Sequence, residues 1–181
     1  MPGAADDVLI DAIVGTNQPT LNLAGGAVTI KSLAIGTTTN ATLTFKNSLA
    51  TDVNRRLRVT GNVAIGANGK LTHSLETAAG AGPETQQLYL DVGGNLAISG
   101  TIDVTGRGYD SGLGAAAINS YGASHGGQGG ARWVRFATTY GSATNPVRSG
   151  SGYAKGPRGG GVVKLVRSSS LFDALTMLVT C

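Results

Sequence analysis

Two histidines, ten carboxylates and one cysteine are the groups in this 181-residue chain with the widest chemical range, and their spacing limits what they can do. His73 closes the segment GKLTH and reads as a solvated or satisfied histidine at a strand end, whereas His125 in SHGGQGG sits where glycines would let backbone approach a ligand. Neither has a cysteine or an acidic cluster beside it, so no metal centre is expected. Ser124 next to His125 lacks the local acid that would complete a triad. The single cysteine, Cys181, excludes an internal disulfide and a cysteine-based zinc site. Asp91 in LYLDV, Asp103 in TIDV and nearby Asp110 are the carboxylates placed for acid/base work on a polysaccharide, provided that they share one exposed face of adjacent turns. The preferred reading of Asp91 and Asp103 is simpler: solvated strand-face residues. Asp6 and Asp7 read as turn or cap residues, and with Asp11 they lack the dense acid spacing of a calcium loop. GANGKL lacks the spacing and the Ser/Thr of a phosphate loop, and HGGQGGA lacks the βαβ surroundings of a dinucleotide loop. No catalytic residue, metal ligand or cofactor is therefore expected.

A binding role finds more support. Of nine aromatic residues seven follow Gly106, and they interleave there with most of the basic residues. Aromatic faces with basic tips can stack on sugars and hold acidic groups. The ligand-binding candidates are Tyr109, Tyr121, Arg132, Tyr140, Tyr153 and Arg158, while Trp133 and Phe136 read as anchors that pack a long loop down. Charge divides the same way. Six bases face eight acids up to Gly106, and eight bases face only Asp110 and Asp173 beyond it. The C-terminal part thus suits an anionic partner such as a glycan or a surface polymer, and nucleic acid is not expected.

The elements that must position these groups are short strands. Apolar bursts with period-two alternation (VLIDAIV, TLNL, VTIKSLAIG, ATLTF, RLRVTGNVAIG, GKLTH, LYLDVGGNLAISG, TIDVTG) are separated by Gly, Asn, Thr and Ser. The only weak helical pattern covers Leu171 to Val179, and no apolar run reaches the length of a membrane span. Three bursts repeat: SLAIG leads to ATLTF, NVAIG to GKLTH and NLAIS to GTIDV, each preceded by a further strand, LNL, LRV or LYL. Such a unit cannot bury its apolar row alone but does so when stacked on its neighbours. Leu33, Ile35, Val63, Ile65, Leu96 and Ile98 are expected to point inward and Ala34, Ala64 and Ala97 outward. The expected fold is all-β, a right-handed parallel β-helix (β-solenoid) with a Gly-rich insertion, and a β-sandwich is the alternative. Residues 1–106 are read as solenoid rungs, 107–160 as a Gly/Tyr/Arg-rich insertion or long loops, and 161–181 as a final strand and tail, all in one structural domain.

PGAADDVLID resembles the entry segment of large secreted bacterial β-helix proteins, and LAGGAVTIKSLAIGTTTNATLTF and LRVTGNVAIGANGKLT resemble successive rungs of filamentous-haemagglutinin-like and autotransporter-like adhesins. GGNLAISGTIDVTGRGY, HGGQGGARW, YGS and GGGVVKLV resemble the Gly-rich segment of such proteins. The resemblance implies an extracellular or cell-surface location and a non-enzymatic structural or adhesive role; the open solenoid ends, with their unpaired strand edges, lead to an expectation of self-association into fibres. The alternative on the same fold is a polysaccharide-cleaving enzyme of lyase or glycosidase type. As written, the chain has no export signal and stops where another rung would follow, which suits a fragment or a short open reading frame.

Overall fold

Bursts such as SLAI and ATLTFK bring β-branched and leucine side chains to alternate positions, and Gly, Asn and Ser bracket them. They form strands whose inner faces are apolar. The computed structural model describes residues 1–11, 17–78, 83–111, 113–114, 141–142, 147–151, 158–168 and 176–180. Among them the fold is all-β, and no helix is long and apolar enough to cross a membrane.

The chain visits three sheets in turn. A first circuit consists of β1 (Asp7–Ile10), β2 (Thr20–Asn22) and β3 (Val28–Ile30). A second consists of β4 (Ser32–Ile35), β5 (Ala41–Lys46) and β6 (Leu57–Val59), and a third of β7 (Val63–Ile65), β8 (Gly69–His73) and β9 (Leu88–Val92). The fourth opens with β10 (Leu96–Ile98) and β11 (Thr101–Ile102) but reaches β12 (Val162–Arg167) only after a long excursion, and β13 (Thr176–Thr180) follows. Each return lands one strand further along: sheet A runs β1-β4-β7-β10, sheet B runs β2-β5-β8-β11, and sheet C runs β3-β6-β9-β12-β13. Every pairing is parallel except the last, β12 with β13. These three parallel sheets replace the two antiparallel layers of the sandwich alternative.

Register explains the core. In sheet A, Val8, Leu33, Val63 and Leu96 form one column and Ile10, Ile35, Ile65 and Ile98 another. Leu33, Ile35, Val63 and Ile65 are buried, whereas Leu96 is half-buried and Ile98 is 42% exposed because β10 is the edge strand. The outward alanines fall in their own column with Leu9.

Two expectations need correction. LNL is not the strand preceding SLAIG; it belongs to sheet B, where Thr20, Leu21 and Asn22 pair with Thr44, Phe45 and Lys46, and VTI takes the sheet C position instead. The repeat also has an earlier copy, since DVLI is the sheet A strand of a further circuit. In the tail, residues 176–180 form a strand antiparallel to β12.

Asp91 and Asp103 do not share a face. Asp91 lies on β9 of sheet C, only 3% exposed, with the Arg56 Nε at 3.3 Å and the Ser168 hydroxyl donating at 2.6 Å. Two residues before it on the same strand face, Tyr89 packs beneath Lys164, whose Nζ stands 4.5 Å from the ring centre and donates to the Ala50 carbonyl. Asp103 follows β11 of sheet B and accepts from Lys70 Nζ at 2.6 Å across one circuit. That bond and the Thr105 amide hold its carboxyl well below the usual carboxylate range. We expect Lys70→Met to cost less than about 1 kcal/mol, because the pair is partly exposed. The Asp103 carboxyl should return toward its ordinary titration, as followed by carboxyl-carbon NMR; an unchanged titration would show that Lys70 is not the cause.

The corners differ in kind. From sheet A to sheet B the chain turns through 36–40, 66–68 and 99–100, and these turns stack closely. A Cβ on Gly36, whose φ is +61°, would lie 2.2 Å from the Gly69 nitrogen, so only glycine fits there. From sheet B to sheet C the links run 23–27, 47–56, 74–87 and 103–161, longer at each circuit. All four leave from the same corner.

Candidate functional site

The long links of the second, third and fourth circuits meet around a cavity of about 390 Å³. Leu49 and Thr51 come from the link 47–56, Pro83, Glu84 and Gln87 from 74–87, and Tyr109, Val147 and Arg148 from 103–161. Residues far apart in sequence converge because their circuits are neighbours.

Gln87 ties the three walls together. It is 2% exposed, its Oε1 accepts from the Ala50 amide at 2.6 Å, and its Nε2 donates to the Val147 carbonyl at 2.8 Å and to Glu84 Oε2. We expect Gln87→Met, similar in volume but without the amide, to lower stability by about 2 kcal/mol, since it strands buried partners from three links. Urea denaturation checks this, and a loss below about 0.5 kcal/mol would show that the walls stand without it.

The two carboxylates of the third link are held in opposite ways. Burial raises the Glu76 carboxyl, but the amides of Thr85, Ala78 and Gln86, with the Thr85 hydroxyl, outweigh it and leave the carboxyl below its ordinary value. Glu84 goes the other way. Burial pushes it up, the nearby Glu76 charge adds to this, and the Ser149 amide at 2.8 Å and the Gln87 amide only partly compensate. Glu76 therefore organises its loop, whereas Glu84 is a carboxyl in the cavity wall that burial holds above its ordinary range.

Glycine builds the remaining wall. Residues 106–109, 149–151 and 158–161 come together backbone to backbone: Gly108 N donates to Gly159 O at 2.7 Å, Gly159 N to Tyr109 O at 3.0 Å, Tyr109 N to Gly150 O at 3.2 Å and Gly150 N to Gly160 O at 2.8 Å. A Cβ on Gly159 would lie 1.8 Å from the Gly150 oxygen. Here glycine serves close approach rather than freedom of movement. Tyr109 is held in this bundle, 1% exposed, and contributes to the cavity wall. Arg158 stitches the bundle from outside: its Nη2 donates to the Gly108 carbonyl at 3.0 Å and to the Glu76 carbonyl, and its Nη1 meets Asp110 at 2.9 Å.

The structure thus brings Tyr109 and Arg158 to the same corner. The other ligand candidates, Tyr121, Arg132, Tyr140 and Tyr153, lie outside the described residues, as do His125, Trp133 and Phe136. Glu84 and Gln87 were missed in the sequence; the polar run PETQQ between two apolar strands is the signal that could have marked them. Asp6, Asp7 and Asp11 do not converge. Asp6 accepts from the Gly3 amide, Asp7 pairs with Lys31, and Asp11 gathers the amides and hydroxyls of Thr38 and Thr39 with the Thr37 hydroxyl. Among the described residues no group of three His, Cys, Asp or Glu side chains could hold a metal ion.

Comparison with protein families, with curated proteins and with solved structures found no match to this chain.

Proposed function

We propose that the chain is a right-handed parallel β-helix segment of an extracellular or cell-surface protein, a non-enzymatic structural and adhesive element whose sheet B to sheet C corner is its contact face. One observation carries this reading: the links of successive circuits leave from one corner, lengthen along the stack and converge on one cavity. In repeat architectures insertions collect on one face, and that face is often the binding face. A polyhydroxylated ligand suits the cavity, because Thr51, Glu84 and Arg148 bring planar and hydroxyl hydrogen-bonding groups to a wall shared with Tyr109, Leu49 and Val147. The uncovered end of the sheet A column at Ile98 supports self-association through the stack ends.

A glycan array probed with the full chain tests the contact face. Bound glycans should be lost in Leu49→Trp, which fills the cavity, with thermal stability retained. Absence of any glycan binding, or binding indifferent to that substitution, would remove the adhesive half. Size-exclusion chromatography over a wide concentration range tests the association, and a constant monomer would remove it.

The raised carboxyl of Glu84 favours one second reading, a polysaccharide-cleaving enzyme in which Glu84 delivers a proton to a leaving oxygen. A reducing-sugar assay should then show release that is lost in Glu84→Gln. Release unchanged by that substitution would end the assignment.

A further inference from the structure

On the sheet B side of the same corner lies an open groove of about 710 Å³, whose lining includes Thr20, Thr44, Lys46, Ser74, Thr77 and Arg107. Thr20 and Thr44 are direct partners on β2 and β5, so their hydroxyls repeat at the strand spacing of about 4.8 Å. Lys46 lies two residues beyond Thr44 on the same strand and therefore on the same face. Ser74 and Thr77 belong to the link after β8 and Arg107 to the link after β11, so the groove crosses the strands and spans all four circuits.

Among the described residues the cations of the groove stand outside the ion pairs around it. Among the described residues neither Lys46 nor Arg107 takes part in an ion pair, while Lys31, Lys70, Arg56 and Arg158 each have an acidic partner. Glu76, next in sequence to lining residues, turns both carboxylate oxygens to its own loop. Asp103, the other acid of this region, is taken by Lys70. What remains is two cations and a row of hydroxyls, since the Gln86 side chain is committed to Asn47 and Thr85. No lining residue is aromatic, which disfavours base stacking, and two cations are few for a phosphate backbone.

From this arrangement we infer that the groove binds an extended anionic polysaccharide lying across the circuits, with Lys46 and Arg107 taking its acidic groups and the hydroxyl row its sugar oxygens. The inference rests on the reading of this corner as a contact face and adds the ligand class.

Fluorescence anisotropy of labelled hexasaccharides with the full chain at low salt tests it, using a carboxylated (oligogalacturonate), a sulfated (heparin-derived) and a neutral (maltohexaose) probe together with a short single-stranded DNA. At least one anionic probe should bind, at least about tenfold more tightly than the neutral one, with affinity falling as salt rises. Lys46→Gln with Arg107→Gln should weaken it about tenfold or more. Lys46→Gln alone, at an exposed position, should weaken it about threefold and carries the test if the double variant folds poorly. Equal affinity for the neutral probe, or an unchanged anionic affinity in the variants, overturns the inference. Neutral binding that is lost in Leu49→Trp would leave the contact face standing without this ligand class, and no binding of any hexasaccharide ends both. DNA bound more tightly than either anionic glycan, with the same loss in the variants, would overturn the assignment in favour of nucleic acid.

Discussion

Gly159→Ala is expected to destabilise the protein by about 3 kcal/mol or more and to open the wall that carries Tyr109. The added methyl would stand 1.8 Å from the Gly150 oxygen and 2.2 Å from its carbonyl carbon, both backbone atoms. Gly159 cannot swing away cheaply, because its amide and its carbonyl are both committed, to Tyr109 O and from Gly108 N. Overpacking alone costs about 1–3 kcal/mol, and each broken backbone bond adds about 1 kcal/mol. Gly25→Ala supplies the control, since nothing lies within 4 Å of a Cβ there, and its effect should stay within about 0.5 kcal/mol. Urea denaturation of both variants, with hydrogen exchange at the Tyr109 and Gly150 amides, distinguishes them. If Gly159→Ala matches Gly25→Ala and those amides stay protected, the glycine bundle does not support the wall.

Acidification from pH 6.5 to pH 4 should cost about 3 kcal/mol of stability through one residue, His73. The ring is fully buried above Phe45, its register partner on β5. Its Nδ1 lies 2.7 Å from the Ser74 carbonyl, which fixes the proton there, and its Nε2 faces Gly161 with no hydrogen-bond partner among the described residues. Burial is the main cause that pushes its pKa down to about 4, and the Arg107 charge adds to it against the Ser74 carbonyl and Glu76. Above pH 6.5 the ring is neutral in both folded and unfolded chains and contributes no pH dependence. Between 6.5 and 4 the unfolded chain takes up a proton that the folded chain refuses, so stability falls as pH falls, by up to about 1.4 kcal/mol per unit. Below pH 4 both states hold the proton and the loss from this residue levels off. The Glu76 carboxyl, held low, adds a loss as pH drops below about 4.5, while Glu84, held high, works in the opposite sense. Urea denaturation at closely spaced pH values should show the fall, and His73→Leu should flatten it whatever its effect on stability at neutral pH. An unchanged slope in His73→Leu would assign the acid sensitivity elsewhere.

The strands were legible because their grammar is local. In SLAI, VAI and LAI the side chains alternate, and β-branching with flanking Gly and Asn marks the ends, so inward Leu33, Ile35, Val63 and Ile65 followed from period two. Assigning strands to sheets was not local. LNL and VTI are both short alternating runs, and only the pairing of Leu21 with Phe45 and of Val28 with Leu57 shows which strand stacks where. For the same reason DVLI read as a burst rather than as a copy of the repeat. The site was half legible. The Gly, Tyr and Arg pattern drew attention to Tyr109 and Arg158, but a cavity assembled from Leu49, Glu84, Tyr109 and Arg148 depends on which loops share a corner. Asp91 misled because alternation places it outward, while the packing of Tyr89, Lys164 and the link 47–56 covers that outer face.

The unequal lengths of the corner links bear on how fast the chain can find this arrangement. Each early closure is of similar, modest span: Val8 meets Leu33, Leu33 meets Val63, and Val63 meets Leu96. The closure of β9 with β12 must bring Leu88 to Val163 across more than twice that stretch of chain. The extra loop entropy is small, roughly 0.6 kcal/mol per doubling, but no reward arrives until the whole excursion has been gathered. Amides of the first three circuits should therefore become protected early in refolding and those of β12 last, an order that pulse-labelled hydrogen exchange reads directly. The segment that builds the contact face is the last to be ordered.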